Sequence, residues 1–180
     1  MRVISGTLKG RRFSPPAGKW PTRPTTDYAR EGLFNILQNQ LAFEELICLD
    51  LFGGAGSHTF ELVSRGCEDV TYVDQFAPCV KFVSETAVEW GIDDFITIHR
   101  QDVRHFLSLA GKKKYDYIFA GPPYPLTWLD DIPNLIFEAD ILAEDGLFVL
   151  EHNPNRDFSA HPHFRELRKY GKTYFSLFRH

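Results

Sequence analysis

The chain has 180 residues, 43% of them hydrophobic and 24% charged, a balance that suits one globular domain. No apolar run approaches the ~18–20 residues that cross a bilayer, and no N-terminal stretch has the apolar core of a signal peptide; a membrane protein is excluded and a cytoplasmic location is expected. The net charge of −4 is unevenly spread: seven Lys or Arg face one acid in residues 1–30, seven face twenty-one in 31–151, and six face two in 152–180. Basic ends around an acidic middle point to a polyanion docked by the ends, because phosphate contacts come from local Lys and Arg rather than from overall charge.

In chain order, Arg2–Ser5 and Arg11–Ser14 are expected to pair as a small hairpin around Gly6 and Gly10. A Pro-rich connection then leads to Thr25 or Thr26. Either threonine can cap a helix running to about Gln40, with Leu33, Phe34, Ile36 and Leu37 on its apolar face. Residues 1–40 thus read as a basic appendage and residues 41–180 as the main domain. There, strand-length apolar runs (Leu46–Leu51, Val70–Asp74, Phe95–His99, Tyr115–Ala120 and Leu147–Glu151) alternate with stretches of helical spacing. Phe60, Leu62 and Val63 mark one such stretch, and Val80, Val83, Ala87 and Val88 another. This alternation predicts an α/β, doubly wound and mostly parallel sheet. At the tail, Glu166–Tyr170 and Thr173–Arg179 flank Gly171-Lys172 with no room for a crossover helix, so they should close the sheet as an antiparallel hairpin. Cys48, Cys67 and Cys79 read as small buried hydrophobes, and no metal site is expected.

Three features carry chemistry. The first is Asp50-Leu51-Phe52-Gly53-Gly54-Ala55-Gly56, which follows a strand and opens a helix: glycines let the backbone approach a ligand, and the helix start offers free N–H groups. Thr59 occupies the place of the third glycine of a dinucleotide fingerprint, which argues against an oxidoreductase, and Asp50 suits an ammonium better than a pyrophosphate. An amino-acid-bearing nucleoside is the inferred cofactor. The second feature is a pair of further acids at successive strand ends, Asp74 for ribose hydroxyls and Asp102 for an adenine amine. The third is Gly121-Pro122-Pro123-Tyr124 after the fourth strand, a stiff turn whose carbonyls can hold the N–H groups of an exocyclic amine while Tyr124 stacks on the base.

On these residues the chain resembles the RsmD-type 16S ribosomal RNA guanine-N2 methyltransferases. Arg2-Val3-Ile4-Ser5-Gly6, Lys9-Gly10-Arg11, Pro16-Ala17-Gly18, Arg23-Pro24-Thr25 and Arg30-Glu31-Gly32-Leu33-Phe34-Asn35-Ile36-Leu37 stand as in that family. So do the Asp50–Gly56 motif, Ser64-Arg65-Gly66 and Tyr170-Gly171-Lys172-Thr173. The resemblance implies a Rossmann-like class I methyltransferase fold, S-adenosylmethionine as donor, and a guanine of the small-subunit ribosomal RNA, free or in an assembling subunit, as acceptor. The expected cofactor set is Arg23, Thr25, Asp50, Phe52, Gly53, Gly54, Gly56, Asp74, Gln75, Asp102 and Val103; the expected RNA contacts are Lys9, Arg11, Arg12, Lys19 and Arg30, and a monomer is expected. Two positions depart from the family. Tyr28 stands where a basic residue is usual, and Gly121 replaces the acid before Pro-Pro, which predicts a slower transfer. Two rival readings stay open: a homologue that binds cofactor and RNA without turnover, and a DNA or protein amine methyltransferase, since the Pro-Pro-Tyr loop suits other exocyclic amines.

Overall fold

The structure, a computed structural model, describes residues 1–16, 20 and 23–180. Seven strands form one sheet: β1 (Ile47–Leu51), β2 (Asp69–Asp74), β3 (Ile96–Arg100), β4 (Tyr115–Ala120), β5 (Leu142–His152), β6 (Phe164–Tyr170) and β7 (Thr173–Phe178). Their order is β3-β2-β1-β4-β5-β7-β6, with β1 to β5 mutually parallel and β7 antiparallel to both β5 and β6. The mixed sheet with its closing hairpin is the expected one. β5 starts at Leu142, earlier than the apolar run suggests; Tyr115 pairs with Leu142 and a register shift follows before Tyr117 meets Leu147. The polar Glu144 and Asp145 mask this early segment in the sequence.

Both faces of the sheet are covered, and the period-2 alternation of strands divides the core accordingly. Cys48, Tyr117, Phe119, Leu147, Val149, Phe175 and Leu177 point to one side, where Phe34 of α1 (Asp27–Leu37), Phe60 of α2 (Ser57–Ser64) and Val83 of α3 (Ala77–Trp90) meet them. Leu49, Leu51, Ile118, Ala120, Phe148, Leu150 and Phe178 point to the other, against Leu107 of α4 (Val103–Ser108) and Ile136 of α5 (Ile132–Glu138). Val88, placed on the apolar face of α3 by its spacing, is 63% exposed, because Val83, Thr86 and Ala87 already fill that contact. The cysteines are free and buried as expected, and Cys48 and Cys67 lie 3.4 Å apart.

The N-terminal segment has the expected pairing in reduced form. Arg2 and Arg12 make one antiparallel bridge, Val3 N donates to Arg11 O and Gly10 N donates to Val3 O, each at 2.9 Å. Its short length leaves no room for strands. Val3, Leu8 and Phe13 enter the same core cluster as α1 and α2, so the segment shares the core of the sheet. Buried polar groups fix it there. The Glu61 carboxylate of α2, fully enclosed, accepts from Ile4 N at 2.8 Å, Ser5 N at 3.0 Å and Arg65 Nε at 2.9 Å. Ser64 Oγ accepts from Leu8 N and donates to Ser5 O.

Removing one member of such a buried charged network costs about 3–5 kcal/mol. Glu61→Ala should therefore lower the unfolding free energy by that amount, read as a lower denaturant midpoint, and release the amides of Ile4 and Ser5 to fast hydrogen exchange. An unmoved midpoint would show that the N-terminal segment is held by apolar contacts alone.

Candidate functional site

The strand order turns between β1 and β4, and ligands of open parallel sheets bind outside the carboxyl ends of the strands at that turn. A cavity of about 940 Å³ lies there. Arg23, Thr25, Asp50, Phe52, Gly53, Gly54, Asp74, Gln75, Asp102, Val103, Gly121, Pro122 and Pro123 all line it, which brings most of the sequence-predicted site to one place.

The loop after β1 is built for close approach. Gly56 caps α2 with φ of 83°, a left-handed conformation that side chains avoid, and a Cβ on Gly53 would sit 2.2 Å from the Tyr72 ring. Phe52 also has a positive φ, 59°, and its ring lies 5.7 Å from Trp128; a bulky residue held there is backbone strain at a site, as ligand loops commonly store it. Gly56 itself is buried behind the loop and shapes it without lining the cavity.

Asp50 is 1% exposed; its Oδ2 accepts from Thr59 Oγ1 at 2.6 Å, while Oδ1 is buried and has no partner among the described residues. Burial pushes its pKa up to about 7, with the charge of Asp74 adding to the rise and the Thr59 hydrogen bond opposing it. Thr59, the residue that breaks the dinucleotide fingerprint, thus serves Asp50. A buried, half-satisfied carboxylate on a cavity wall is the acceptor an ammonium needs. Asp74 accepts from Gly54 N at 2.9 Å and Phe76 N at 2.8 Å, so it fixes the glycine loop while each oxygen keeps a free lone pair for a hydroxyl. Burial raises its pKa against those backbone bonds. Asp102 is both a helix cap and a wall residue: its Oδ1 accepts from His105 N at 3.1 Å. The residues present therefore fit a ligand carrying an ammonium, a ribose and an adenine.

Other neighbours carry no motif. Arg104 lies 4.7 Å over the Trp128 ring, and Trp20 meets Phe76 edge-on at 5.9 Å; all four residues line the cavity. His58 stacks on Phe119 at 3.7 Å and contacts the Tyr117 hydroxyl at 3.0 Å; burial, with Arg30 and Arg65 nearby, keeps its pKa well below the usual range, so the ring is neutral.

Two expectations need correction, and one open choice is settled. Arg30, counted with the RNA contacts, is 1% exposed; it donates to Ser57 O at 3.2 Å, Asp27 Oδ1 at 2.9 Å and Arg2 O, so it ties α1 to the N-terminal segment and α2. Tyr124 does not line the cavity. Its hydroxyl donates to Glu151 Oε1 at 2.9 Å, and the guanidinium of Arg23, placed with the cofactor residues, lies 4.6 Å over its ring. Of the two possible caps, Thr26 is the one used, accepting from Ala29 N at 3.2 Å, which leaves the Thr25 hydroxyl to donate to Glu151 Oε2. In the sequence Glu151 is only a strand end; no local pattern announces a partner 126 residues away. Lys9, Arg11 and Arg12 are exposed, and Lys19 lies outside the described residues.

Comparison with known proteins places these features. The family described as "Conserved hypothetical protein 95" matches residues 1–179. The chain is 36% identical over 155 residues to the Bacillus subtilis (strain 168) protein named "Putative rRNA methyltransferase YlbH", covering 85% of this chain and 83% of that one. It is 28% identical over 158 residues to "Ribosomal RNA small subunit methyltransferase D" of Escherichia coli (strain K12), covering 84% and 74%. A solved structure, "Putative methyltransferase yhhF from Escherichia coli", superposes with a TM-score of 0.83 at 24% identity over 99% of this chain and 96% of that one, which supports the fold. The chain belongs to the Conserved hypothetical protein 95 family, that of the RsmD-like methyltransferases.

Proposed function

We propose that this protein methylates the exocyclic N2 amine of a guanine in small-subunit ribosomal RNA. Its coarser part, methyl transfer to RNA with S-adenosylmethionine as donor, follows from the family. The observation that carries the finer part is the meeting of Asp50, Asp74 and Asp102 with the Gly121-Pro122-Pro123 turn in one cavity. The cofactor, when bound, supplies an electrophilic methyl group. Asp50 would hold its ammonium, Asp74 its ribose hydroxyls and Asp102 its adenine amine, with Gly53 and Gly54 giving the backbone room to approach. An amine conjugated with a purine ring is a weak nucleophile, and acceptors such as the Pro122 carbonyl that bind its N–H groups restore lone-pair character.

A base inside a helix cannot reach this cavity, so the guanine has to be extruded or unpaired. Lys9, Arg11 and Arg12 precede Pro15 and Pro16, which are cavity wall, so the basic segment runs straight to the mouth. These cations are the proposed phosphate contacts. Mapping methylated guanines in ribosomal RNA from cells with and without the gene tests the whole reading; an unchanged map would overturn it.

Cofactor binding should be coupled to a proton. With its pKa near 7 in the free protein, Asp50 is largely protonated at pH 5.5, and an incoming ammonium favours the ionised form. Affinity for S-adenosylmethionine should therefore rise from pH 5.5 to 7, and calorimetry should find a proton released on binding in that window. The same raised pKa means that Asp50 costs stability as pH rises from its unfolded value of 3.8 to about 7. Asp50→Asn should remove the released proton and weaken binding at pH 7. A variant with unchanged affinity and pH dependence would show that another group holds the ammonium.

Counterion release gives the RNA surface a measurable signature, a log–log salt slope of roughly 0.7–0.9 per phosphate contacted. Replacing Arg11 and Arg12 together by alanine should flatten that slope by about 1.4–1.8 and leave cofactor affinity intact. If RNA affinity and slope stay as in the wild type, the segment only solubilises.

A further inference from the structure

Gly121 leaves the turn without the acid that the family resemblance expects, yet the space beside it is not without one. A Cβ built on Gly121 would sit 3.9 Å from Glu151 Oε2, with the edge of Phe119 at 3.1 Å. Glu151 is 4% exposed and ends the run of β5 beside β4, where Ala120 pairs with Leu150. Its two donors are neutral hydroxyls, Thr25 on Oε2 and Tyr124 on Oε1. Burying a carboxylate with two hydroxyl partners and, among the described residues, no direct ion pair is costly, and such groups concentrate where chemistry needs them. A carboxylate has about four lone-pair sites, so each oxygen keeps one. Glu151 does not itself line the cavity; it lies directly behind two residues that do, Thr25 and Gly121.

We propose that Glu151 is the carboxylate acceptor for the target amine, reached through the gap that Gly121 leaves, so that the acid of this site is relocated to β5 and not lost. The assignment rests on the guanine-N2 reading above. The Watson–Crick edge of guanine presents N1–H and an N2–H side by side, and two carboxylate oxygens match that pair; adenine offers an acceptor at N1 and would be repelled. The Pro122 carbonyl then takes the second N2–H. In the transfer, the N2 lone pair forms the new N–CH3 bond as the C–S bond breaks, and that bond's electron pair stays on sulfur, leaving a neutral thioether. The surplus N2 proton passes to Glu151 and on to water. Burial raises the Glu151 pKa, opposed by its two hydroxyl bonds and by the charge of Arg23, and a raised pKa suits a group that takes a proton.

Relocation and loss predict opposite results at Gly121. Its backbone φ is not in the left-handed region, so an aspartate fits the main chain there. The experiment is single-turnover methyl transfer at saturating cofactor to small ribosomal subunits from cells lacking the gene, with cofactor affinity and melting temperature measured for each variant. Glu151→Gln should slow transfer by about tenfold to a hundredfold, the worth of one hydrogen bond to a charged group, with cofactor affinity unchanged. Gly121→Asp in the wild-type background should give no gain in rate, since an acid is already present and a second carboxylate beside Glu151 Oε2 is repelled by it. Combined with Glu151→Gln, it should recover most of the loss. A Glu151→Gln variant as fast as the wild type, or slow but not rescued by Gly121→Asp, would overturn the assignment and leave Glu151 as a strut for Thr25 and Tyr124. If Glu151→Gln does not fold, a gain of about tenfold or more from Gly121→Asp alone overturns it equally. A wild type that transfers no methyl group to guanine overturns the proposed function, and this assignment with it.

Discussion

The pairing of β1 with β4 is the constraint on which the rest of the site depends. These strands are far apart in sequence and adjacent at the turn of the sheet order, in the register Asp50 to Phe119 and Leu51 to Ala120. That register places the end of the Asp50 motif beside the start of the Gly121 turn, and Gly121 N donates to Leu51 O at 3.2 Å to extend it. The cofactor loop and the acceptor loop therefore meet through backbone bonds alone. A one-residue slip would turn Asp50 to the opposite face and put Leu51 in its place. The slip is resisted because both faces are packed: Leu49 and Leu51 belong to one core cluster, Cys48 to the other.

Acids gathered at one end of a sheet repel, and this end concentrates Asp50, Asp74 and Glu151 under partial or full burial. Each has a pKa raised first by desolvation. A site poised in this way favours a cationic ligand, since a positive group returns to the carboxylates the stabilisation that burial removed. A sulfonium with an ammonium carries that charge, whereas a pyrophosphate would meet like charge. The acidic middle of the chain supplies all three of these carboxylates, while the excess of Lys and Arg lies at its two ends.

The parts of the fold written as local periodicity are legible in the sequence. Alternating strands and helices follow from apolar spacing, and the closing hairpin from the short Gly171-Lys172 connection. The three acids can be placed because strand ends are readable and parallel sheets bind ligands at them. What is not legible is non-local pairing of charge. Arg30 counts as one more cation in a basic segment, and only the folded chain shows it enclosed between Arg2, Asp27 and Ser57. Thr25 and Thr26 are equivalent caps on paper; the choice of Thr26 is settled by Glu151, which engages Thr25 from the other end of the chain. Tyr124 offers its ring to a reading of the motif, while its hydroxyl and the overlying Arg23 belong to that same junction.

This junction gives the N-terminal segment a second duty. Met1, Pro15, Pro16, Pro24 and Thr25 form cavity wall, and the segment is anchored at one end by Glu61 and Ser64 on α2 and at the other by Glu151 on β5. α2 is the helix that opens from the cofactor loop, and β5 lies next to the strand that leads into the acceptor loop. A segment fastened to both cannot shift without loading the two loops, because packed interiors transmit strain. Its exposed cations and its buried anchors alternate along a few residues: Lys9, Arg11 and Arg12 face solvent while Leu8 and Phe13 are buried on either side of them. The exposed basic face and the wall of the cavity are therefore two sides of one segment.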